Sequence, residues 1–396
     1  MALPKGFRIG TANAHFRRAQ RDDVAIMLSD FPCSVAGVFT TNIFKAAPVL
    51  ECERILNLEN SDIRAVLVNS GQANACTGDE GIRNCQKTLE LMETELAIAT
   101  DSILPMSTGV IGNHLKMELW PKAVHLLKES LGSKDEEHFT KAMMTTDAFP
   151  KFCDREVKLK HGSVHITGMT KGAGMICPNM ATMLAVVACD IKVEKKLWQK
   201  LFIDTVNVTF NRVSVDGDTS TNDTVLGFAN GASQVTLTEN DKEDLVIFRN
   251  ALEDILGSLA YMLVQDGEGS SKVIRIEVEG ANSNLDAEKI ARTVGHSQLV
   301  KTAMYGRDAN WGRIIAAVGR SGANFNPQDV CMSLCGVDLF QSGQPIKGNH
   351  DAKLAEPLRG RDVTININMG NGSGNYVLLV SDLSHDYVTC NADYRT

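Results

Sequence analysis

Thr182 stands where a glycine-rich segment gives way to a continuous apolar run, in the stretch TKGAGMICPNMATMLAVVACD from Thr170 to Asp190. The run Met183 to Ala188 reads as a buried strand, apolar on both faces and so central in its sheet. A threonine at the mouth of such a strand is held rigidly, and the loop before it leaves the preceding peptide bond open to strain. Ala181 is small, so its carbonyl carbon is open to attack. If Thr182 Oγ attacks that carbon, an N→O acyl shift gives an ester, which water then breaks. The product is a new α-amino group on Thr182. Such an amine has an ordinary pKa of about 7.7–8.0, which suits a general base for the adjacent hydroxyl near neutral pH. A threonine served by its own N-terminal amine is an established nucleophile type. By spacing alone, a structural threonine is the commoner reading, because β-branched residues are frequent in strands.

The other chemistry-bearing patterns are weaker. MGNGSGN (Met369 to Asn375) is glycine-rich, but a phosphate-cradling loop must follow a strand and open a helix. Here two alternating segments, Val363 to Asn368 and Tyr376 to Val380, flank it, which predicts a hairpin. KGAG at Lys171 to Gly174 lacks the order of a phosphate loop. Asp216, Asp218 and Asp223 invite a cation, but their spacing lacks the glycine and terminal glutamate of a calcium loop. They read as hydrogen-bonding partners of loop backbone. GRDANWGR (Gly306 to Arg313) reads as a structural loop or pocket wall. Ten cysteines are scattered without a C-x-x-C pair, and Cys331 and Cys335 have no further ligand nearby, so buried reduced thiols are expected rather than zinc.

The elements that must position these residues follow from periodicity. Ala65 to Val68 reads as a buried strand entering the loop NSGQANACTGDEG. Ile82, Cys85, Leu89 and Met92 mark one face of a helix from about Glu80 to Leu96. Ile103 to Gly112 reads as a glycine-punctuated loop, followed by a helix near Met117 to Leu131. Glu156 to Ile166 alternates around His161-Gly162, which predicts a hairpin. Val193 to Val206 and Asp241 to Val264 read as helices, and Val273 to Val278 as a strand. A short helix from Asp286 to Gly295 is opened by its aspartate and closed by its glycine. Strands and helices mix without strict alternation, so a layered α/β sandwich is favoured over a doubly wound sheet.

The 396 residues are 43% hydrophobic and 22% charged, with a net charge of −8. A packed core is therefore feasible. The acidic balance argues against nucleic acid or an anionic membrane as main partner, since both need a basic face. The longest apolar run is too short to span a bilayer, and MALPKGFRIGTANAHFRR lacks the order of a secretory signal. A cytoplasmic protein is expected.

Several blocks together carry a resemblance: VNSGQANACTG (Val68–Gly78), STGVIG (Ser107–Gly112), MTTD (Met144–Asp147), FNRVSVDGDTSTNDT (Phe210–Thr224), QDGEGSSK (Gln265–Lys272), GRDANWGR and the final NADYRT (Asn391–Thr396). With the Thr182 segment, in this order and over essentially the whole chain, they resemble the ornithine acetyltransferase family, also called ArgJ. The resemblance selects Thr182 as nucleophile and Ala181–Thr182 as the cleaved bond. It implies an oxyanion hole from Thr108 and Gly109, and substrate contacts from Thr145, Lys171, Thr182, Glu268, Asn391 and Thr396. In MTTD, Thr145 is preferred to Thr146 by its spacing from Lys171. Lys171 is expected to face a substrate carboxylate and Glu268 the ornithine ammonium.

The implied reaction moves acetyl from N-acetyl-L-ornithine to L-glutamate through an acetyl-enzyme, in arginine biosynthesis. No cofactor and no metal are implied. Some members of the family also accept acetyl-CoA, which is the one further co-substrate. The implied fold is an α-β-β-α sandwich resembling N-terminal-nucleophile hydrolases but with different connectivity. Residues 1–181 would form an α chain and 182–396 a β chain, with a smaller C-terminal subdomain from about residue 283. Two of each would assemble as a heterotetramer. Two other readings stay open: an aminopeptidase or amidohydrolase of the same superfamily, with water as acceptor, and a non-catalytic amino-acid-binding protein.

Overall fold

A computed structural model describes residues 3–17, 20–59, 62–177 and 183–393. The chain opens with β1 (Phe7–Ala12), β2 (Val24–Ser29) and β3 (Ser34–Phe39), then runs α1 (Ala47–Leu56), β4 (Ala65–Gln72), α2 (Gly78–Leu96) and β5 (Ile103–Val110). Helices α3 (Trp120–Ser130) and α4 (Glu136–Met143) precede β6 (Lys151–Leu159) and β7 (Gly162–Lys171). Next come β8 (Leu184–Cys189), β9 (Lys192–Val193), α5 (Lys195–Val208), β10 (Val213–Ser214), β11 (Thr224–Ala229), β12 (Thr236–Leu237) and the long α6 (Lys242–Gln265). Two compact units result. One takes Met1–Asn211 and Asp218–Leu263, the other Arg212–Gly217 and Val264–Tyr394.

The first unit is built on two sheets. One has the order β1-β2-β4-β5, the other β3-β11-β8-β7-β6. Their facing side chains share one apolar core, with Ile9, Met27 and Leu104 from the first sheet and Met169, Val186 and Phe228 from the second. Leu89 of α2 and Trp120 and Leu127 of α3 join that core from the far side of the first sheet. On the far side of the second, Trp198 of α5 donates from Nε1 to the Gly227 carbonyl at 2.8 Å. A Cβ on Gly168 would lie 2.7 Å from Leu259 of α6, so the helix packs directly on backbone. The layers are therefore helix, sheet, sheet, helix, the mixed α/β sandwich that was expected.

The strand β8 lies at the centre of its sheet, parallel to β11 and antiparallel to β7. All six of its residues are buried, which is why the sequence there carries no alternation. The hairpin forms as expected, with β6 and β7 paired from Lys151↔Thr170 to Leu159↔Gly162. Helix α2 buries Cys85, Leu89 and Met92 and ends at Ala97, whose φ is +54°. Acidic Asp79 and Glu80 sit in its first turn, where the helix dipole favours them.

Three expectations need correction. Ile103 to Val110 is a strand, not a loop: Ile103 to Thr108 are buried, and β5 pairs in parallel with β4. Pro105 is tolerated because β5 is an edge strand, where a missing N–H costs no ladder bond. The cap of the helix expected from Asp286 is Ser283, whose side chain accepts from the Asp286 N–H.

The third correction is in the second unit, which adds β13 (Val273–Ala281), α7 (Asn284–Gly295), α8 (Gln298–Tyr305), α9 (Trp311–Gly319), β14 (Cys331–Leu334), β15 (Val337–Gln341), β16 (Gln344–Pro345), α10 (His350–Leu354), β17 (Asp362–Asn368), β18 (Gly374–Ser381) and α11 (His385–Asp393). Its sheet has the order β10-β18-β13-β17-β14-β15-β16. The strands flanking MGNGSGN are thus not a hairpin, because β13 lies between them, parallel to β17 and antiparallel to β18. The glycine-rich loop crosses the end of β13, with the Met369 N–H on the Glu279 carbonyl and the Gly372 N–H on that of Gly280. A Cβ on Gly372 would lie 2.0 Å from the Ala281 carbonyl oxygen. The glycines serve close crossing, which alternating residues on either side could not reveal. Asn310, in GRDANWGR, caps α9 by accepting from the Arg313 N–H.

None of the ten cysteines is in a disulfide, and Cys76 and Cys390 are exposed. Burial pushes the Cys33 and Cys153 thiols up to about 12. Among the described residues no helix is long and apolar enough to cross a membrane.

Candidate active site

The end of β5 carries Thr108 and Gly109, opposite Ser70 and Gly71 of β4. Gly109 has φ +133°, and a Cβ there would lie 2.3 Å from the Gly71 carbonyl carbon. No larger residue fits. Ser107 Oγ donates to Asn69 Oδ1 at 2.7 Å. Asn222 Nδ2, arriving from the start of β11, donates to the carbonyls of Ser107 at 2.9 Å and Ala73 at 2.6 Å. These bonds hold the backbone on either side of Thr108 in one geometry.

Lys171 ends β7 and is buried. Its Nζ lies 2.8 Å from Thr145 Oγ1 and 3.4 Å from Thr108 Oγ1. Behind it stands Asp147. Its Oδ2 is 3.9 Å from Lys171 Nζ and its Oδ1 is 2.8 Å from Lys151 Nζ. The Lys151 and Asp147 side chains are both wholly buried. The same carboxylate accepts the N–H groups of Thr145 at 2.8 Å and Gly172 at 2.6 Å. Burial alone would raise its pKa. The charges of Lys171 and Lys151, with these hydrogen bonds, outweigh burial and hold it well below the usual carboxylate range. Lys171 thus sets a buried ammonium beside the Thr108 hydroxyl. Such a place can hold a carboxylate or a developing oxyanion.

Thr108, Lys171, Met183, Leu184, Asn222 and Asp223 line a small recess. Asp223 Oδ1 accepts the Met183 N–H at 3.2 Å. The Thr224 N–H in turn donates to the Met183 carbonyl at 3.1 Å, so the entry of β8 is fastened to β11 from both sides. Asp223 is fully buried, and its Oδ2 has no hydrogen-bond partner among the described residues. Burial pushes its carboxyl well above the usual range, against the opposing pull of the Met183 N–H, the Lys171 charge and Ser220.

In the second unit, Asn391 Nδ2 on α11 donates to Glu268 Oε2 at 2.9 Å. The loop carrying Glu268 is pinned where Asp382 Oδ1 accepts the N–H groups of Ser271 and Lys272 at 2.8 and 3.0 Å. Gly269 permits this seat, since a Cβ there would lie 2.3 Å from the Tyr387 nitrogen.

The structure thus gathers Thr108, Thr145 and Lys171 in one place, and Glu268 with Asn391 in the other unit. Ala181, Thr182 and Thr396 lie outside the described residues. The sequence reading missed Asp147 as the shared counter-ion, Asn222 as the clamp and Asp223 in the recess. Asp147 had a signal, since an aspartate two residues after Thr145 can turn back on its backbone. Asn222 had none. Among the described residues, no group of three or more His, Cys, Asp or Glu could hold a metal.

A glycine-kinked strand end, a hydroxyl and a buried ammonium at the mouth of a two-sheet sandwich are suited to acyl chemistry. The ArgJ family matches residues 8–396. The chain is 58% identical over 396 residues to the arginine biosynthesis bifunctional protein ArgJ of Nitratidesulfovibrio vulgaris, covering all of both chains. It is 42% identical over 393 residues to the protein of the same name from Geobacter sulfurreducens, with 99% of each chain covered. A crystal structure of ArgJ from Bacillus halodurans matches at 37% identity and a TM-score of 0.50, over 52% of this chain and 96% of that one. The chain belongs to the ArgJ family, the ornithine acetyltransferases that its motifs resemble.

Proposed function

We propose that the chain is a self-cleaving N-acetyltransferase that moves acetyl from N-acetyl-L-ornithine to L-glutamate. The observation that carries this reading is the recess where Thr108, Lys171 and Met183, the residue after Thr182, come together. The solved Bacillus halodurans chain, about half as long as this one by its coverage, accords with cleavage near the middle. In this reading Thr182 Oγ attacks the acetyl carbonyl and its own α-amine takes the proton. Thr108 and the Gly109 N–H stabilise the oxyanion. Ornithine leaves, and the glutamate α-amine attacks the acetyl-enzyme. Covalent catalysis divides one difficult displacement into two easier ones. Residues 1–181 and 182–396 remain associated, because β8 is central and paired on both sides. Two such pairs form a heterotetramer in the cytoplasm. No metal or cofactor takes part, and acetyl-CoA is a second donor to the same threonine.

The test is acceptor dependence. Acetylornithine should lose its acetyl group slowly alone and quickly with glutamate. Equal rates would place the chain with the hydrolases. Thr108→Ala should lower kcat by about 10²–10³, the usual effect of losing one oxyanion donor, with splitting and substrate binding followed alongside. Glu268→Gln should raise KM for acetylornithine by on the order of tenfold, as expected for a lost charged contact. It should change the glutamate KM less, and steady-state kinetics in both substrates would show equal losses if the assignment is wrong.

A further inference from the structure

The proposed turnover uses the free amine of Thr182 as base, but before cleavage that nitrogen is an amide and accepts no proton. The first bond break needs another base. Among the described residues the recess offers four polar side chains. Thr108 is a hydroxyl and Asn222 an amide committed to two carbonyls. Lys171 is an ammonium held by Thr145 and Asp147. Of these four, Asp223 is the one that can both take and return a proton. We infer that Asp223 is the general base of self-cleavage, pinned to the backbone at the reacting residue and relieved of that role once the new amine exists.

The inference rests on Thr182 being the nucleophile. Its geometry comes from described atoms. Asp223 Oδ1 accepts the N–H of Met183, and that nitrogen is bonded to the carbonyl carbon of Thr182. The Asp223 side chain is fully buried, and its second oxygen has no partner among the described residues, so one lone-pair site is left unspent. A buried polar atom without a partner is costly, and such a cost is retained at functional sites. Ser220 steadies the carboxyl and Lys171 is the charged group facing it, with Asp147 and Lys151 behind that lysine. Burial makes the ionised carboxylate a stronger base than an ordinary aspartate.

The step balances within the chain. Asp223 Oδ2 takes the Thr182 hydroxyl proton as Oγ bonds to the Ala181 carbonyl carbon, whose π electrons move to its oxygen. As that intermediate collapses, the C–N bond breaks, its electron pair goes to the Thr182 nitrogen, and Asp223 returns the proton there. An ester and an amine result, with Asp223 ionised as at the start. Water then adds to the ester, and Oγ leaves with a proton.

The test follows splitting of the full-length chain after a pulse of cell-free synthesis, between pH 6 and 9. Asp223→Asn should split at least about 100-fold more slowly, the usual share of a general base, and Asp223→Glu should recover part of the rate. The wild-type rate should rise with pH through an inflection that Asp223→Asn lacks. Hydroxylamine, which breaks esters but not amides, should fail to rescue Asp223→Asn, since the acyl shift itself is blocked. The inference is overturned if Asp223→Asn splits at the wild-type rate, if hydroxylamine restores it, or if both variants are equally slow with an unchanged pH profile. A wild type that stays whole while transferring acetyl groups would instead remove the nucleophile reading, and this inference with it.

Discussion

Thr182→Ala is expected to stay a single chain and to lose acetyl transfer by on the order of 10⁴-fold or more. The size follows from what the substitution removes. The hydroxyl carries the acetyl group, and without cleavage no free amine is produced at the site, so nucleophile and base vanish together. Residues that act as one unit fail together, and removing one such group costs nearly as much as removing all. Residual rate would come from Thr108, Gly109 and substrate positioning. The melting temperature should move little, because the strand after Thr182 keeps both neighbours, β7 and β11. Initial rates with acetylornithine and glutamate, beside a thermal melt, check this. A folded Thr182→Ala that retains a tenth of the wild-type rate would contradict it.

The second large effect concerns stability. Asp147→Ala should destabilise the first unit by about 3–5 kcal/mol, the usual cost of removing one partner from a buried ion pair. Two lysines lose their shared carboxylate, and the N–H groups of Thr145 and Gly172 lose their acceptor. Lys171 beside Thr108 would lose the carboxylate behind it, so kcat should fall as well. Asp147 also predicts a pH dependence. Its folded pKa is depressed below an unfolded value of about 3.9. Its contribution is therefore complete above about pH 5 and is lost as pH falls below about 4 toward the folded value. Urea unfolding of wild type and Asp147→Asn from pH 3 to 7 should show a gap that is widest at neutral pH and narrows in acid. A constant gap would contradict the assignment.

The layers were legible where periodicity was strong. The unbroken apolar run of β8 announced a central strand, and the spacing of Cys85, Leu89 and Met92 announced α2. The hidden parts had physical reasons. In β5, Pro105 and Gly109 looked like loop punctuation, because tolerance of proline on an edge strand depends on partners that local sequence does not name. The MGNGSGN loop looked like a hairpin turn, because β13 comes from some ninety residues earlier in the chain. At the candidate site, Thr108, Thr145 and Lys171 were named from the family resemblance, and the structure sets both threonines within hydrogen-bonding reach of Lys171. Asp147 was given no role and Asp223 was read only as a partner of loop backbone, because a buried aspartate and a solvated one have the same letter. Only burial and the positions of Lys151, Lys171 and Met183 separate them.

The most direct test of a nucleophile unmasked by its own chain is the intact mass of the purified, active wild-type protein under denaturing conditions. Two fragments are predicted, ending at Ala181 and beginning at Thr182, in equal amounts and with their masses summing to the 43.0 kDa chain plus one water. A single uncut mass from a preparation transferring acetyl at full rate would contradict the account.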